Sequence, residues 1–208
     1  MFPIGFSALI GYLLGSFPSG FLAGRIAGVD VRQAGSGNIG ATNVTRLLGK
    51  RFGYPVFLLD FAKGIAAVML SVHMARRTGA SQGLVELCGA IAGTFSVIGH
   101  SFSIWLGFKG GKGVATSIGA LFGLNWPAAL IVGIVWCLTF QITRYVSLAS
   151  VVAVIAFPVT IGAMLLLGRL TTPVLLYFSL CLAGLVIFRH RSNLSRLLSG
   201  TEPRVLRK

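Results

Sequence analysis

Two short stretches of the chain gather glycine, small polar residues and single cations in a pattern suited to anion binding. The first runs Gly35-Ser36-Gly37-Asn38-Ile39-Gly40-Ala41-Thr42-Asn43, with Arg46 just beyond it. The second runs Lys109-Gly110-Gly111-Lys112-Gly113-Val114-Ala115-Thr116. Glycine lets successive backbone N–H groups turn toward an anion, hydroxyls and amides add hydrogen bonds, and lysine or arginine supplies the opposing charge. A third polar cluster, Arg189-His190-Arg191-Ser192-Asn193, lies near the C-terminus. Together these residues could hold a phosphorylated compound.

Two nucleotide patterns come close and fail. Gly35 to Gly40 fits G-x-G-x-x-G, and Asp60 falls 20 residues beyond Gly40. That pattern belongs between a strand and a helix of a βαβ unit, whereas here it follows a long apolar run. The second stretch is half a P-loop, but Gly113 stands where Ser or Thr would hold magnesium. With only 4 acidic residues in the chain, no cofactor and no metal are expected. What survives is a phosphate cradle without a nucleotide.

The titratable residues are few. Asp60 and Lys63 are three apart on one helical face and read as an internal ion pair, with His100 as a further support for the second stretch. Arg189 and Arg191 flank His190 and favour a neutral imidazole that exchanges hydrogen bonds with substrate oxygen. His73, Glu86 and Glu202 read as interfacial. Cys88, Cys137 and Cys181 each sit in an apolar run, with no metal-ligand spacing, and read as buried small hydrophobes. No carboxylate pair or Ser-His-Asp arrangement is visible.

The elements that must position these residues are membrane helices. The 208-residue chain is 55% hydrophobic and only 11% charged, against roughly 25% charged in soluble domains. Its net charge of +14 could indicate nucleic acid, but the apolar runs leave no soluble domain to present a basic face. The positive-inside rule accounts for most of that charge. Runs long enough to span are Ile4–Ala23, Gly53–Ala75, Leu87–Leu106, Val146–Gly168 and Thr172–Phe188. Asn125-Trp126-Pro127 divides the stretch between Gly113 and Thr143 into a short helix, Val114–Leu124, and a full one, Pro127–Ile142. No signal peptide, linker or repeat is evident. The expectation is an all-α polytopic membrane protein of one domain, residues 1–208, with seven transmembrane helices, the fourth short. Charge counting puts the N-terminus outside and the C-terminus in the cytoplasm, leaving only Arg76, Arg77 and Arg169 outside. Arg204, Arg207 and Lys208 join the cytoplasmic set, as do all three polar clusters.

This combination resembles the acyl-phosphate:glycerol-3-phosphate acyltransferase family of bacterial membranes, the PlsY family, over essentially the whole chain. The resemblance rests on Gly35–Asn43 with Arg46, Leu59–Gly64, and Gly99-His100 followed by Gly107–Thr116. Arg144–Ser150 and Arg189–Gly200 complete it. The His-x₄-Asp signature of other glycerophosphate acyltransferases is absent: Thr78, Trp105 and Ser195 lie five beyond the three histidines.

The resemblance implies transfer of a fatty acyl group from acyl phosphate to the 1-hydroxyl of sn-glycerol 3-phosphate, giving lysophosphatidic acid and phosphate for phospholipid synthesis. It places the reaction at the cytoplasmic face of the bacterial inner membrane, with a soluble enzyme supplying acyl phosphate and membrane lipid as the surroundings. Ser36, Arg46, Lys112, His190 and Asn193 would be the catalytic set, holding glycerol 3-phosphate. Gly35, Gly37, Asn38, Thr42, Asn43, Gly110, Gly111, Gly113, Thr116 and Ser147 would bind substrate or phosphate. An acyl phosphate is already activated, so positioning and charge stabilisation can carry the catalysis. The rival from another class is an organic-anion transporter using the same basic loops, but it would be expected to show internal repeats and a broken helix near the midplane.

Overall fold

The computed structural model describes residues 2–205; Arg207 and Lys208 lie outside them. Where lipid offers no partner for backbone polar groups, apolar runs satisfy them internally as helices. The described residues accordingly form ten α-helices and a 3₁₀ turn, with no strand. They fall into two compact units, one ending at Leu124 and one beginning at Asn125.

The first unit comprises α1 (Phe2–Ser16), α2 (Ser19–Ile26), α3 (Ala41–Leu48), α4 (Lys50–Arg77) and α5 (Gln82–Ser101), then the 3₁₀ turn Ile104–Leu106 and α6 (Val114–Leu124). Small residues let its helices meet backbone to backbone, the usual solution where lipid removes the hydrophobic drive between helices. Gly11 and Gly15 of α1 lie on the backbone of Ala92 and Ser96 in α5, and Gly119 of α6 lies on that of Phe61 in α4. A methyl group at any of the three would strike main chain.

The first apolar run is not continuous. Pro18, which lacks an N–H, separates α1 from α2, and the carbonyls at the break take bonds from outside the regular helix, Phe17 O from the Ser19 N–H at 3.1 Å among them. Side chains from elsewhere add to these: Ser103 Oγ donates to Ser16 O at 2.6 Å, and Lys63 Nζ donates to Phe17 O at 3.0 Å. Tyr12 OH also donates to Phe102 O at 2.9 Å, so the end of α1 is tied to the segment that leads into the second glycine stretch.

The second unit comprises α7 (Trp126–Thr143), α8 (Val146–Leu166), α9 (Val174–Arg189) and α10 (Arg191–Leu198). Asn125 caps α7 by accepting the Ala128 N–H at 3.0 Å, with Pro127 in the first turn, so the expected division between short and full helix falls where the turn residues stand. Five stretches are long and apolar enough to cross a membrane: Pro3–Ile26, Lys50–Arg77, Gln82–Leu106, Trp126–Thr143 and Val146–Leu166. The pair α9 and α10, bent by 60°, makes a sixth candidate. At 11 residues, α6 reaches only about 17 Å.

The cysteines divide differently from expectation. Cys88 is buried, but Cys137 and Cys181 are exposed on helices whose outer faces are apolar, where a small hydrophobe suits lipid as well as it suits a core. The short helices α3 and α10 lie outside the membrane-length runs read from the sequence.

Candidate active site

The first glycine stretch leaves α2 through a fixed turn. Arg32 grips Asp30 with two hydrogen bonds, of 2.9 and 2.7 Å, and stacks 4.5 Å over Phe21. The side-chain hydrogen bond from Arg32 holds the Asp30 carboxyl down at about 2. Gly35 and Gly37 take positive φ, and Gly40 precedes α3, so Thr42 and Asn43 sit in its first turn. Asn43, only 2% exposed, braces the loop from within. Its Oδ1 accepts the Ser36 N–H at 2.9 Å, while Nδ2 lies 2.9 Å from Asn38 O, 3.1 Å from Val31 O and 3.2 Å from Ala34 O. The N–H of Gly37 goes to Ala34 O, and that of Gly40 to Asn38 Oδ1. These amides therefore shape the loop, and the groups on its outer side are the exposed Ser36, Thr42 and Arg46.

An apolar plug ties this loop to the second one. Val31, Ile39 and Val44 are buried together with Val56 of α4 and with Leu106, three residues ahead of the second stretch. The second stretch then folds back on the end of α5: Gly110 N–H donates to Ser101 O at 3.1 Å and Gly111 N–H to His100 O at 3.0 Å. Gly113 enters α6 with φ +82°, and a methyl there would come within 2.6 Å of Val97 Cγ1. No side chain fits, which is why the P-loop hydroxyl cannot stand at this position.

Around the same helix start, Ser101, Thr116 and Ser117 carry buried hydroxyls with no hydrogen-bond partner. Leaving a buried hydroxyl unpaired costs about 1–3 kcal/mol, and three such groups lie beside the first turn of α6. The half-buried Lys112 supplies a positive charge there. Next to the α1–α2 break, unit 1 also carries an apolar groove of about 680 Å³, lined by Leu13, Phe17, Leu59 and Trp105 among others, with Lys63 at its wall.

Asp60 and Lys63 meet at 2.8 Å, and both are buried. Ser19 Oγ donates to the same Asp60 Oδ1 at 2.6 Å, and Lys63 Nζ lies 2.9 Å from His100 Nδ1.

In the second unit, His190 stands where α9 bends into α10 and is 3% exposed. Its Nδ1 lies 2.8 Å from Val186 O; a carbonyl only accepts, so Nδ1 carries the proton. Asn193, one turn on, donates to Glu202 Oε1 at 2.6 Å, and Arg196 Nε donates to Glu202 Oε2 at 2.8 Å. The tail reaches this place by lying back on the α7–α8 link, with Val205 N–H on Arg144 O and Arg204 Nε on Tyr145 OH. Ser147, near the start of α8, faces the same carboxylate without full hydrogen-bond geometry.

The family described as glycerol-3-phosphate acyltransferase has a model that matches residues 5–200. The chain belongs to that family. A glycerol-3-phosphate acyltransferase of Synechococcus sp. (strain JA-2-3B'a(2-13)) is 47% identical over 205 residues, which cover 97% of this chain and 94% of the relative. The one from Aquifex aeolicus (strain VF5) is 43% identical over 200 residues, 96% of this chain and 97% of the relative. Among solved structures, the glycerol 3-phosphate form of PlsY (YgiH), an integral membrane glycerol 3-phosphate acyltransferase, matches with a TM-score of 0.85 and 40% identity, covering 97% of this chain and 94% of that one. Its lysophosphatidic acid form matches with a TM-score of 0.84 and 39% identity over the same shares.

For this acyltransferase family member, Glu202 is a correction to the sequence reading. It was expected at the interface, yet it is buried between Asn193 and Arg196. Burial pushes its carboxyl up, but the nearby Ser147 hydroxyl and the hydrogen bonds from Asn193 and Arg196 outweigh this and hold it below the usual glutamate value. A carboxyl lowered on folding stabilises the fold above its unfolded pKa and loses that contribution as pH falls through the folded value. Melting temperature is therefore expected to drop below about pH 4.5, and Glu202→Gln should weaken that acid-side drop while lowering stability at neutral pH. Thermal melts from pH 3 to 8 measure both; an unchanged acid limb in the variant would remove Glu202 as its source.

Proposed function

We propose that the protein transfers a fatty acyl group from acyl phosphate to the 1-hydroxyl of sn-glycerol 3-phosphate, releasing lysophosphatidic acid and inorganic phosphate. The observation that carries the donor is the state of the acidic residues. The chain has only four, and each is engaged: Asp30 with Arg32, Asp60 with Lys63, Glu86 with Gln82, Glu202 with Arg196. No carboxylate stands ready to deprotonate an alcohol or to strengthen a histidine base. A donor that is already a mixed anhydride needs less of such help, because its leaving phosphate is stable and carries its own proton acceptor.

In the reaction, the glycerol hydroxyl oxygen bonds to the acyl carbonyl carbon. The bond between that carbon and the bridging phosphate oxygen breaks, its electron pair leaves with phosphate, and the hydroxyl proton passes to a phosphate oxygen. Ser36, Thr42 and Arg46 on the outer side of the first loop bind phosphate directly, while Asn43, with Gly35, Gly37 and Asn38, keeps the loop in shape. Lys112, the start of α6 and the hydroxyls of Ser101, Thr116 and Ser117 bind phosphate at the second. The apolar groove of unit 1 has room for an acyl chain. His190 and Asn193 orient substrate, and Ser147 supports them through Glu202.

The charge distribution supports seven crossings, with the N-terminus outside and the polar clusters on the cytoplasmic side of a bacterial inner membrane. There a soluble enzyme would deliver acyl phosphate. The test is to incubate purified full-length protein in detergent with acyl phosphate and radiolabelled glycerol 3-phosphate. Lysophosphatidate and phosphate should appear one for one. Equal turnover with an acyl thioester would overturn the donor; no lysophosphatidate, with labelled anion crossing sealed vesicles, would overturn the enzyme.

A further inference from the structure

We propose that His100 is a positioning residue for the second glycine loop and that Lys63 sets it in place. The inference rests on the reading that this loop holds a substrate phosphate. Lys63 is 8% exposed, and its Nζ has three acceptors: Asp60 Oδ1 at 2.8 Å, His100 Nδ1 at 2.9 Å and Phe17 O at 3.0 Å. Three acceptors match the three protons of an ammonium group, which can only donate. His100 Nδ1 also lies 3.5 Å from Asp60 Oδ1, but the shorter contact is to the ammonium, so Nδ1 accepts from Lys63 and the imidazole carries its proton on Nε2.

The Nε2 edge of that ring lies against the loop. A methyl on Gly111 would collide with His100 Nε2, Cε1 and Cδ2 together. The backbone closes the same contact, since His100 O takes the Gly111 N–H and Ser101 O takes the Gly110 N–H. The residues just ahead of Lys112 therefore rest on one imidazole whose tautomer and plane a buried lysine determines. Asp60, itself held by Ser19 Oγ at 2.6 Å, provides the counter-charge that keeps this cation inside the helix bundle. The same ammonium donates to the Phe17 carbonyl at the Pro18 break, beside the Ser19 N–H, so one cation ties α1–α2, α4 and the loop together. An ion pair that merely joins helices would not need an imidazole interposed between itself and the loop.

The experiment uses the full-length protein in lipid nanodiscs. His100→Asn keeps an amide near the Nδ1 position and leaves nothing at Nε2; His100→Gln reaches the Nε2 position. For His100→Asn, the KM for a phosphate substrate should rise about 10-fold or more, and inhibition by inorganic phosphate should weaken in parallel. Amide exchange at Gly110 and Gly111 should quicken while the melting temperature stays close to wild type. His100→Gln should recover most of the loss. If His100→Asn fails to fold, the double substitution Asp60→Asn with Lys63→Met decides, because it removes both buried charges together. It should show the same KM shift, and adding His100→Asn to it should add nothing further. A lower melting temperature with KM and phosphate inhibition unchanged would overturn the positioning role. No product from the wild type, with exchange still faster in His100→Asn, would overturn the phosphate reading and leave the dependence of the loop on His100 standing.

Discussion

Lys112→Met is expected to lower kcat/KM by about 10²–10³-fold, the usual cost of removing one preorganised stabiliser of developing charge. Lys112 lies between glycines just ahead of α6, where the proposed function has the helix N–H groups and the Ser101, Thr116 and Ser117 hydroxyls bind phosphate. As the acyl–phosphate bond breaks, negative charge grows on phosphate, and an ammonium placed there binds the transition state more strongly than the ground state. The loss should therefore fall mainly on kcat. Lys112→Arg keeps the charge but replaces a compact ammonium with a planar fork, so only part of the activity should return. Melting temperature should barely move in either variant. Steady-state kinetics with acyl phosphate at saturating glycerol 3-phosphate separates the cases, and a pure KM effect would assign Lys112 to uniform binding rather than charge stabilisation.

The helices and the polar stretches were legible in the sequence because their signals are local. An uncharged run of about 20 residues has few alternatives to a helix in lipid, and Asn125 with Pro127 marks a helix start by cap chemistry alone. What was not legible depends on contacts between distant residues. An asparagine in a glycine-rich loop reads equally well as a phosphate ligand or as an internal brace; Asn43 is a brace because Val31, Ala34 and Asn38 turn their carbonyls toward it. Glu202 looks interfacial until the tail is seen to return to Arg144, burying the carboxylate against Asn193.

The hydroxyls make the same point. Serine and threonine in membrane helices commonly donate to a carbonyl one turn back, as Ser7, Ser16 and Thr94 do here. Nothing in the sequence separates these from Ser101 and Ser117, which have no partner and border the second loop. Pro18 carried a usable signal, since a proline inside an apolar run announces a break. That Ser103 and Lys63, far along the chain, would donate to the carbonyls at that break was not legible.

His190→Gln is expected to raise KM for glycerol 3-phosphate while lowering kcat by less than about 10²-fold, below most of the range that loss of a general base would produce. The local chemistry argues against a strong base. In Ser-His-Asp sites a carboxylate stabilises the imidazolium that forms on proton transfer. Here Nδ1 faces the neutral Val186 carbonyl, and the nearest charged neighbours in sequence, Arg189 and Arg191, oppose a positive ring. The nearby carboxylate, Glu202, is held by Asn193 and Arg196. A neutral imidazole fixed by its backbone bond is well suited to orient the substrate hydroxyl, leaving the proton to the departing phosphate. On that mechanism the pH–rate profile of His190→Gln should keep the shape of the wild type, only scaled. A kcat loss of about 10³-fold or more, with disappearance of a limb near the ordinary histidine pKa of about 6.5, would make His190 the base instead.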